Sequence, residues 1–303
     1  MKLSVITDEI DADLETAVAV MSEFGIKAAE LRQLWDKNIV DAPREYWERA
    51  RDILVKNGMY VVGIASPFLK CDLPGDIGDE PGGRMHNAQV RGMDEQAGVL
   101  ARAIDAAHYF DTNLVRVFSF WRRGPLTDAK LDIIVNAFRQ PAAIAASKGI
   151  VLGIENEGAC YIGTGEELAR LLDRIASYST TPSPFQGEGR GGVSSVRAIW
   201  DPGNALLDGE VPYPHGYQSL RRHIQHVHIK DYTIRDGYRN PKWAIVGDGD
   251  VDYRGMISAL ASSGYDGYLS LETHYDGPGA PADASRECLT RLRDLVDQIP
   301  QPV

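Results

Sequence analysis

The sequence is short of cysteine, of basic charge and of long apolar runs, and each shortage excludes a class of protein. Only three cysteines occur among 303 residues, Cys71, Cys160 and Cys288, far apart and without a C-x-x-C pair. So odd and scattered a set suits neither a disulfide framework nor a thiolate zinc site, and it fits a reducing cytoplasm. Lys and Arg number 32 against 43 Asp and Glu, a formal net charge of −11. Such a balance repels polyanions, so no nucleic-acid partner is expected. Nowhere do about 18 apolar residues run together, so no membrane span is expected. The opening MKLSVITDEIDADLE turns acidic by residue 8 and lacks a signal-peptide core, which predicts no export. Nucleotide-binding glycine patterns are missing as well. The first apolar run leads into TDEIDAD rather than G-x-G-x-x-G, and no G-x-x-x-x-G-K-[ST] occurs.

What is present is an ordinary globular composition, 44% hydrophobic and 25% charged, enough for a large core and incompatible with global disorder. Short apolar or β-branched runs fall at Leu3–Thr7, Ala28–Leu31, Tyr60–Ala65, Leu114–Phe118, Ile150–Ile154, Val196–Trp200, His226–Ile229 and Tyr268–Leu271. Between most of them lie segments of helical period, such as Trp47, Ala50, Ile53 and Leu54, or Leu131, Ile134, Val135 and Phe138. Pro43 and Thr127 suit helix starts, and Gly25, Gly58, Gly149 and Gly264 suit helix ends. Pro141 predicts a kink or break in its helix. Eight strands alternating with helices give an α/β chain, a (β/α)8 TIM barrel forming a single domain over 1–303, although a doubly wound open sheet shares the alternation. Two segments read as irregular. Residues 66–87, rich in Gly, Pro and Asp, are long for a connection and suit a loop over a site, and 177–195 has the composition of a flexible insert.

The chemistry-bearing residues of the second half gather at strand ends: Glu155 and Glu157, Asp201, His228 and Asp231, Glu272 and His274. In a barrel those ends converge on one face. Three carboxylates and an imidazole form an oxygen-rich set suited to one divalent cation, Mn²⁺, Mg²⁺ or Co²⁺, with Zn²⁺ also within its range. Without a cation, like-charge repulsion and desolvation would raise the carboxyl pKa values.

The phrases GIENEG (153–158), WDPGNAL (200–206), HVHIKD (226–231), GDGDVDY (247–253) and LSLETHY (269–275) resemble, in that order, the sugar phosphate isomerase/epimerase superfamily of xylose isomerase-like TIM barrels. The early ITDEI and AELR are similar too, so the resemblance covers nearly the whole chain. It implies metal ligands at Glu155, Asp201, His228 and Glu272, with Glu155 and Glu272 also the catalytic acid and base. It further implies a metal-dependent isomerase or epimerase of a ketose, keto-sugar or polyol that works through an enediolate, with Mn²⁺ the leading choice. The alternative is an inosose dehydratase-like lyase that begins with the same proton abstraction. Apurinic endonucleases share the barrel, but seven histidines and a net charge of −11 oppose that reading, and an intact ligand quartet opposes a mere sugar sensor.

Further candidates are weaker. Glu157 reads as a substrate-hydroxyl acceptor or an ion-pair residue, and His226, on the same face as His228, could be a buried supporting histidine. Lys230 reads as a partner of Asp231 or a substrate contact, and Asn204 as a turn residue or a hydroxyl ligand. His274, Arg116, Arg32 and Arg122 are pocket or anion-anchor candidates. Trp35, Phe118 and Trp121 could stack on a sugar. A homo-oligomer is compatible with the family, and the sequence leaves the oligomeric state open.

Overall fold

A computed structural model describes residues 1–76, 91–179, 195–234, 241–274 and 279–299. Residues 77–87 of the first irregular segment and 180–194 of the second lie outside the described residues. Eight parallel strands close a barrel: β1 (Lys2–Ile6), β2 (Ala28–Leu31), β3 (Tyr60–Ala65), β4 (Leu114–Val117), β5 (Val151–Glu155), β6 (Val196–Trp200), β7 (Ile224–Ile229) and β8 (Tyr268–Leu271). Each pairs with its neighbours in sequence, and β1 closes the ring by pairing with both β2 and β8. The expected barrel is therefore the one that forms, and the open sheet is not.

Alternation along each strand separates two sets of side chains. Val5, Leu31, Ile64, Val115, Val117, Leu152, Ile154, Ala198, Val227, Ile229 and Leu271 join one large buried cluster with helix residues such as Leu14, Trp47, Ile104, Phe138 and Leu289. The residues between them face inward, and many are polar: Ser4, Glu30, Arg116, Glu155, His226, His228, Ser270. Gly153 makes room among them, since a Cβ there would meet Ile199 Cγ1 at 2.6 Å.

The helices follow local chemistry. Thr127 caps Asp128–Ser147 by accepting from the Lys130 N–H, and Asp13 caps Leu14–Glu23 through Thr16. Gly58 and Gly149 follow helices at φ of +64° and +70°, left-handed positions where a side chain is strained. Pro141 does not end its helix, contrary to the expected break. Its missing N–H costs one bond, but Leu131, Ile134, Val135 and Phe138 before it and Ala145 after it are buried on one face, and that packing holds the two halves in line.

All three cysteines are buried, and burial pushes the thiols of Cys71 and Cys160 up to about 12 and that of Cys288 to about 11. The folded protein should therefore show no thiol reactive toward an aromatic disulfide reagent at pH 8, and three per chain after denaturation. Reaction before unfolding would contradict the packing.

Candidate metal centre

Four strand ends deliver the donors. Glu155 closes β5, Asp201 follows β6, His228 lies near the end of β7 and Glu272 follows β8. One ligand atom from each lies within 4.8 Å of the others, and all four residues are buried. His228 Nδ1 is 3.0 Å from Glu155 Oε1 and 3.5 Å from Glu272 Oε2. Asp201 also caps the helix Pro202–Leu207, accepting from the Asn204 N–H with Oδ1, which leaves Oδ2 for the cluster. Glu155 Oε2 and Asp201 Oδ2 are buried and accept no hydrogen bond. Among the described residues each is paired with a cation, Arg116 Nη1 at 3.2 Å and Lys230 Nζ at 2.8 Å. Buried carboxylate oxygens of this kind, grouped with an imidazole nitrogen, fit a divalent cation.

Of the three carboxyls, the expected rise in pKa holds for Asp201 alone, because the neighbouring cations lower Glu155 and Glu272. Burial pushes Asp201 up to about 7, against the pull of Lys230. Burial pushes Glu155 up too, but the charges of His228 and Arg116 outweigh it and hold the carboxyl at about 2. Burial opposes the charged form of His228, yet Glu30 and Glu155 raise its pKa well above the usual imidazole range. The expected Lys230–Asp231 pair does not form. Neighbours in a chain that is still extended point to opposite sides, so the Lys230 ammonium turns inward to Asp201 and, at 2.7 Å, Glu272. Asp231 turns away and accepts from the N–H groups of Tyr232, Gly247, Gly249 and Val251. It thereby fastens the GDGDVDY loop, where a side chain at Gly249 would collide with its carboxylate.

Above the cluster opens a cavity of about 640 Å³, and Glu155 and Glu272 are in its lining together with Glu157, Arg116, Lys70, Phe118, Trp243 and His274. Glu157 is 3.5 Å from Lys70, so its ion-pair and pocket readings coincide at one place. His274 stands between Glu272 Oε1 at 3.1 Å and Glu9 Oε1 at 2.9 Å and packs on Trp243. Burial disfavours its charge, but the two carboxylates overcome this and raise its pKa to about 9.

Other candidates lie off the lining. The Asn204 amide donates to the Asn156 carbonyl at 2.9 Å and approaches Glu155 at 3.5 Å. Asn156 in turn ties β5 to β6 through both the N–H and the carbonyl of Asp201. The Trp35 ring packs edge-on to Tyr46 and beneath Arg49. Arg122 pairs with Glu167 and donates to the Cys160 and Tyr161 carbonyls. Trp121 packs with Phe118, Ala159 and Cys160. Arg32 reaches the lining but is engaged by Asp8, Glu9 and Glu272. His226 is buried, 3.0 Å from Glu30. Sequence reasoning missed Glu30, although one carboxylate inside the otherwise apolar run AAEL was a signal; Glu9 and Lys70 offered none.

A family model described as xylose isomerase-like TIM barrel matches residues 18–295. The chain belongs to this family. Among curated relatives, the inosose dehydratase of Geobacillus thermodenitrificans is 24% identical over 170 residues, 52% of this chain and 51% of that protein. The chain thus spans about half the length of the curated relatives it matches. The IOLI protein with a bound zinc atom superimposes at a TM-score of 0.71 with 14% identity, covering 100% of both chains. The D-allulose 3-epimerase from Methylomonas sp. in complex with D-allulose superimposes at 0.68 with 14% identity, covering 97% of this chain and 96% of that one. At such identities the superpositions speak for the fold alone. Among the described residues, no helix is long and apolar enough to cross a membrane.

Replacing Asp201 and His228 together by Ala should abolish stoichiometric binding of divalent metal. Elemental analysis after dialysis checks this, and undiminished metal in a folded variant would refute the site.

Proposed function

We propose that this family member is a divalent-metal-dependent isomerase or epimerase acting on a ketose, keto-sugar or related polyol in the cytoplasm. The observation that supports this best is how the donors divide. Glu155 and Glu272 reach the cavity, whereas Asp201 and His228 are fully buried and absent from its lining. Two donors can thus meet a substrate while two only anchor. A divalent cation held by the four, Mn²⁺ by preference, would polarise the substrate carbonyl and an adjacent hydroxyl and so acidify the neighbouring C–H.

Glu155 and Glu272 then do the proton work, one removing the proton and the other returning it. Return to the opposite face gives an epimer, and return to the adjacent carbon gives an isomer. Arg116 holds Glu155 ionised, as a base must be, and Lys230 does the same for Glu272. Glu157 and Lys70 on the wall supply an acceptor and a donor for substrate hydroxyls. The acidic overall charge keeps nucleic acid outside this reading.

One observation favours a second reading, dehydration by the same opening step. His274 lines the cavity, 3.1 Å from Glu272, with a pKa raised to about 9, so it is charged at neutral pH and can protonate a departing hydroxyl. The inosose dehydratase relatives lean the same way.

The test is incubation of Mn²⁺-loaded protein with ketoses and keto-inositols in D₂O, followed by NMR, with a chelated control. Metal-dependent deuterium at carbon is expected, and the product separates epimer from dehydrated species. Product formed without solvent deuterium would mean a hydride shift and would overturn the two-carboxylate assignment. Glu155→Gln and Glu272→Gln should each lower turnover by about 100- to 10,000-fold with the fold intact.

A further inference from the structure

Behind the candidate ligands, deeper in the barrel, lies a second polar group that the proposed chemistry does not use. Glu30 is fully buried on β2, at a register shift between Ala29 and Glu30 where β2 meets β3. A shift of that kind re-aims the side chains beside it. Gly63, its partner on β3, leaves space: a Cβ there would lie 3.5 Å from Glu30 Cγ. Glu30 Oε1 accepts from His228 Nε2 at 3.2 Å, while Oε2 accepts from His226 Nε2 at 3.0 Å and Ser270 Oγ at 2.8 Å. Three donors from β7 and β8 thus converge on one carboxylate.

A fully buried carboxylate without a compensating role is costly, and its replacement by an apolar residue of similar size is often neutral or stabilising. The placement here has a specific consequence. His228 has two ring nitrogens: Nε2 faces Glu30, and Nδ1 faces Glu155 and Glu272. A carboxylate accepts only, so Glu30 keeps a proton on Nε2, and Nδ1, which faces Glu155, is the nitrogen whose proton a bound cation would displace to use its lone pair. The two rings of β7 stand nearly perpendicular, 87° apart at 5.5 Å, and His226 bonds the far oxygen of Glu30 without competing with His228 Nε2 for Oε1.

We propose that Glu30 is a positioning residue for the metal centre: acting through His228, it fixes the imidazole tautomer and ring orientation that present Nδ1 to the cation, with His226 and Ser270 holding Glu30 in place. The inference rests on the metal-centre reading above. Glu30 touches neither substrate nor cation, so its removal acts on metal affinity first.

The experiment titrates metal-stripped wild-type protein and variants with Mn²⁺ alone by calorimetry, alongside circular dichroism of the metal-free proteins. Glu30→Gln keeps the shape and removes the charge, and it should weaken Mn²⁺ binding about 10- to 100-fold. Glu30→Asp keeps the charge but withdraws it from Nε2, so an intermediate loss is expected. Ser270→Ala removes one of the two residues that hold Glu30 in place but leaves the His228 contact, so it should weaken Mn²⁺ binding less than Glu30→Gln does. The absorption bands of the Co²⁺-loaded Glu30→Gln protein should also shift, a signature that a structural role away from the ligands would not produce. A folded Glu30→Gln protein with wild-type Mn²⁺ affinity and unchanged Co²⁺ bands would overturn the proposal. If Glu30→Gln does not fold, Glu30→Asp decides by the same affinity criterion. Wild-type protein that binds no Mn²⁺ would instead overturn the metal centre itself, and the proposal with it.

Discussion

A continuous run of opposite charges, from Arg116 through Glu155, His228, Glu272 and Lys230 to Asp201, occupies the C-terminal half of the barrel interior, and the rest of the structure is arranged to keep it there. Its links are 2.7 to 3.5 Å long and all six of its members are buried. Left unpaired, any one of these charges would cost several kcal/mol. Paired, they bind five strands to one another through side chains as well as backbone: Arg116 from β4, Glu155 from β5, Asp201 after β6, His228 and Lys230 from and after β7, Glu272 after β8. Glu30 extends the run to β2. Arg32 and His274 extend it to Glu9 beyond β1.

The run is balanced in sign but not in chemistry, because two of its carboxylate oxygens accept no hydrogen bond. Oxygens of that kind suit the ligand set proposed above. That set also explains the role of the supporting residues. Asn156 and Asn204 clamp β5 to β6, Asp231 ties down the loop after β7, and Glu30 stands behind His228. A site built from strand ends far apart in sequence needs such fastening, because a misplacement of about 1 Å at a reacting centre can cost a hundredfold in rate.

The strands were legible in the sequence because outward-facing residues of a parallel barrel are apolar without interruption, and the runs at 28–31, 60–65, 196–200 and 268–271 coincide with observed strands to the residue. The four ligand candidates were legible because barrel topology gathers strand ends, whatever lies between. Three features were not legible. Lys230 sits beside Asp231 in sequence, yet extended backbone sends the two side chains apart and only the third dimension supplies Asp201 and Glu272. Glu30 looked like one charge in a short strand, since its three partners come from 196 to 240 residues away. Pro141 obeys packing on both sides of it rather than its own preference. Asn204 and Trp35, drawn to the cavity by proximity to motifs, are held in contacts outside its lining.

The central claim is that one divalent cation completes this charge network. The most direct measurement is anomalous diffraction from crystals of the protein loaded with Mn²⁺, recorded at a wavelength where manganese scatters strongly. A single interior peak within bonding distance of Glu155, Asp201, His228 Nδ1 and Glu272 is the predicted result. Manganese found only on the surface, with the four side chains still bridged by Lys230 and Arg116 alone, would contradict the account.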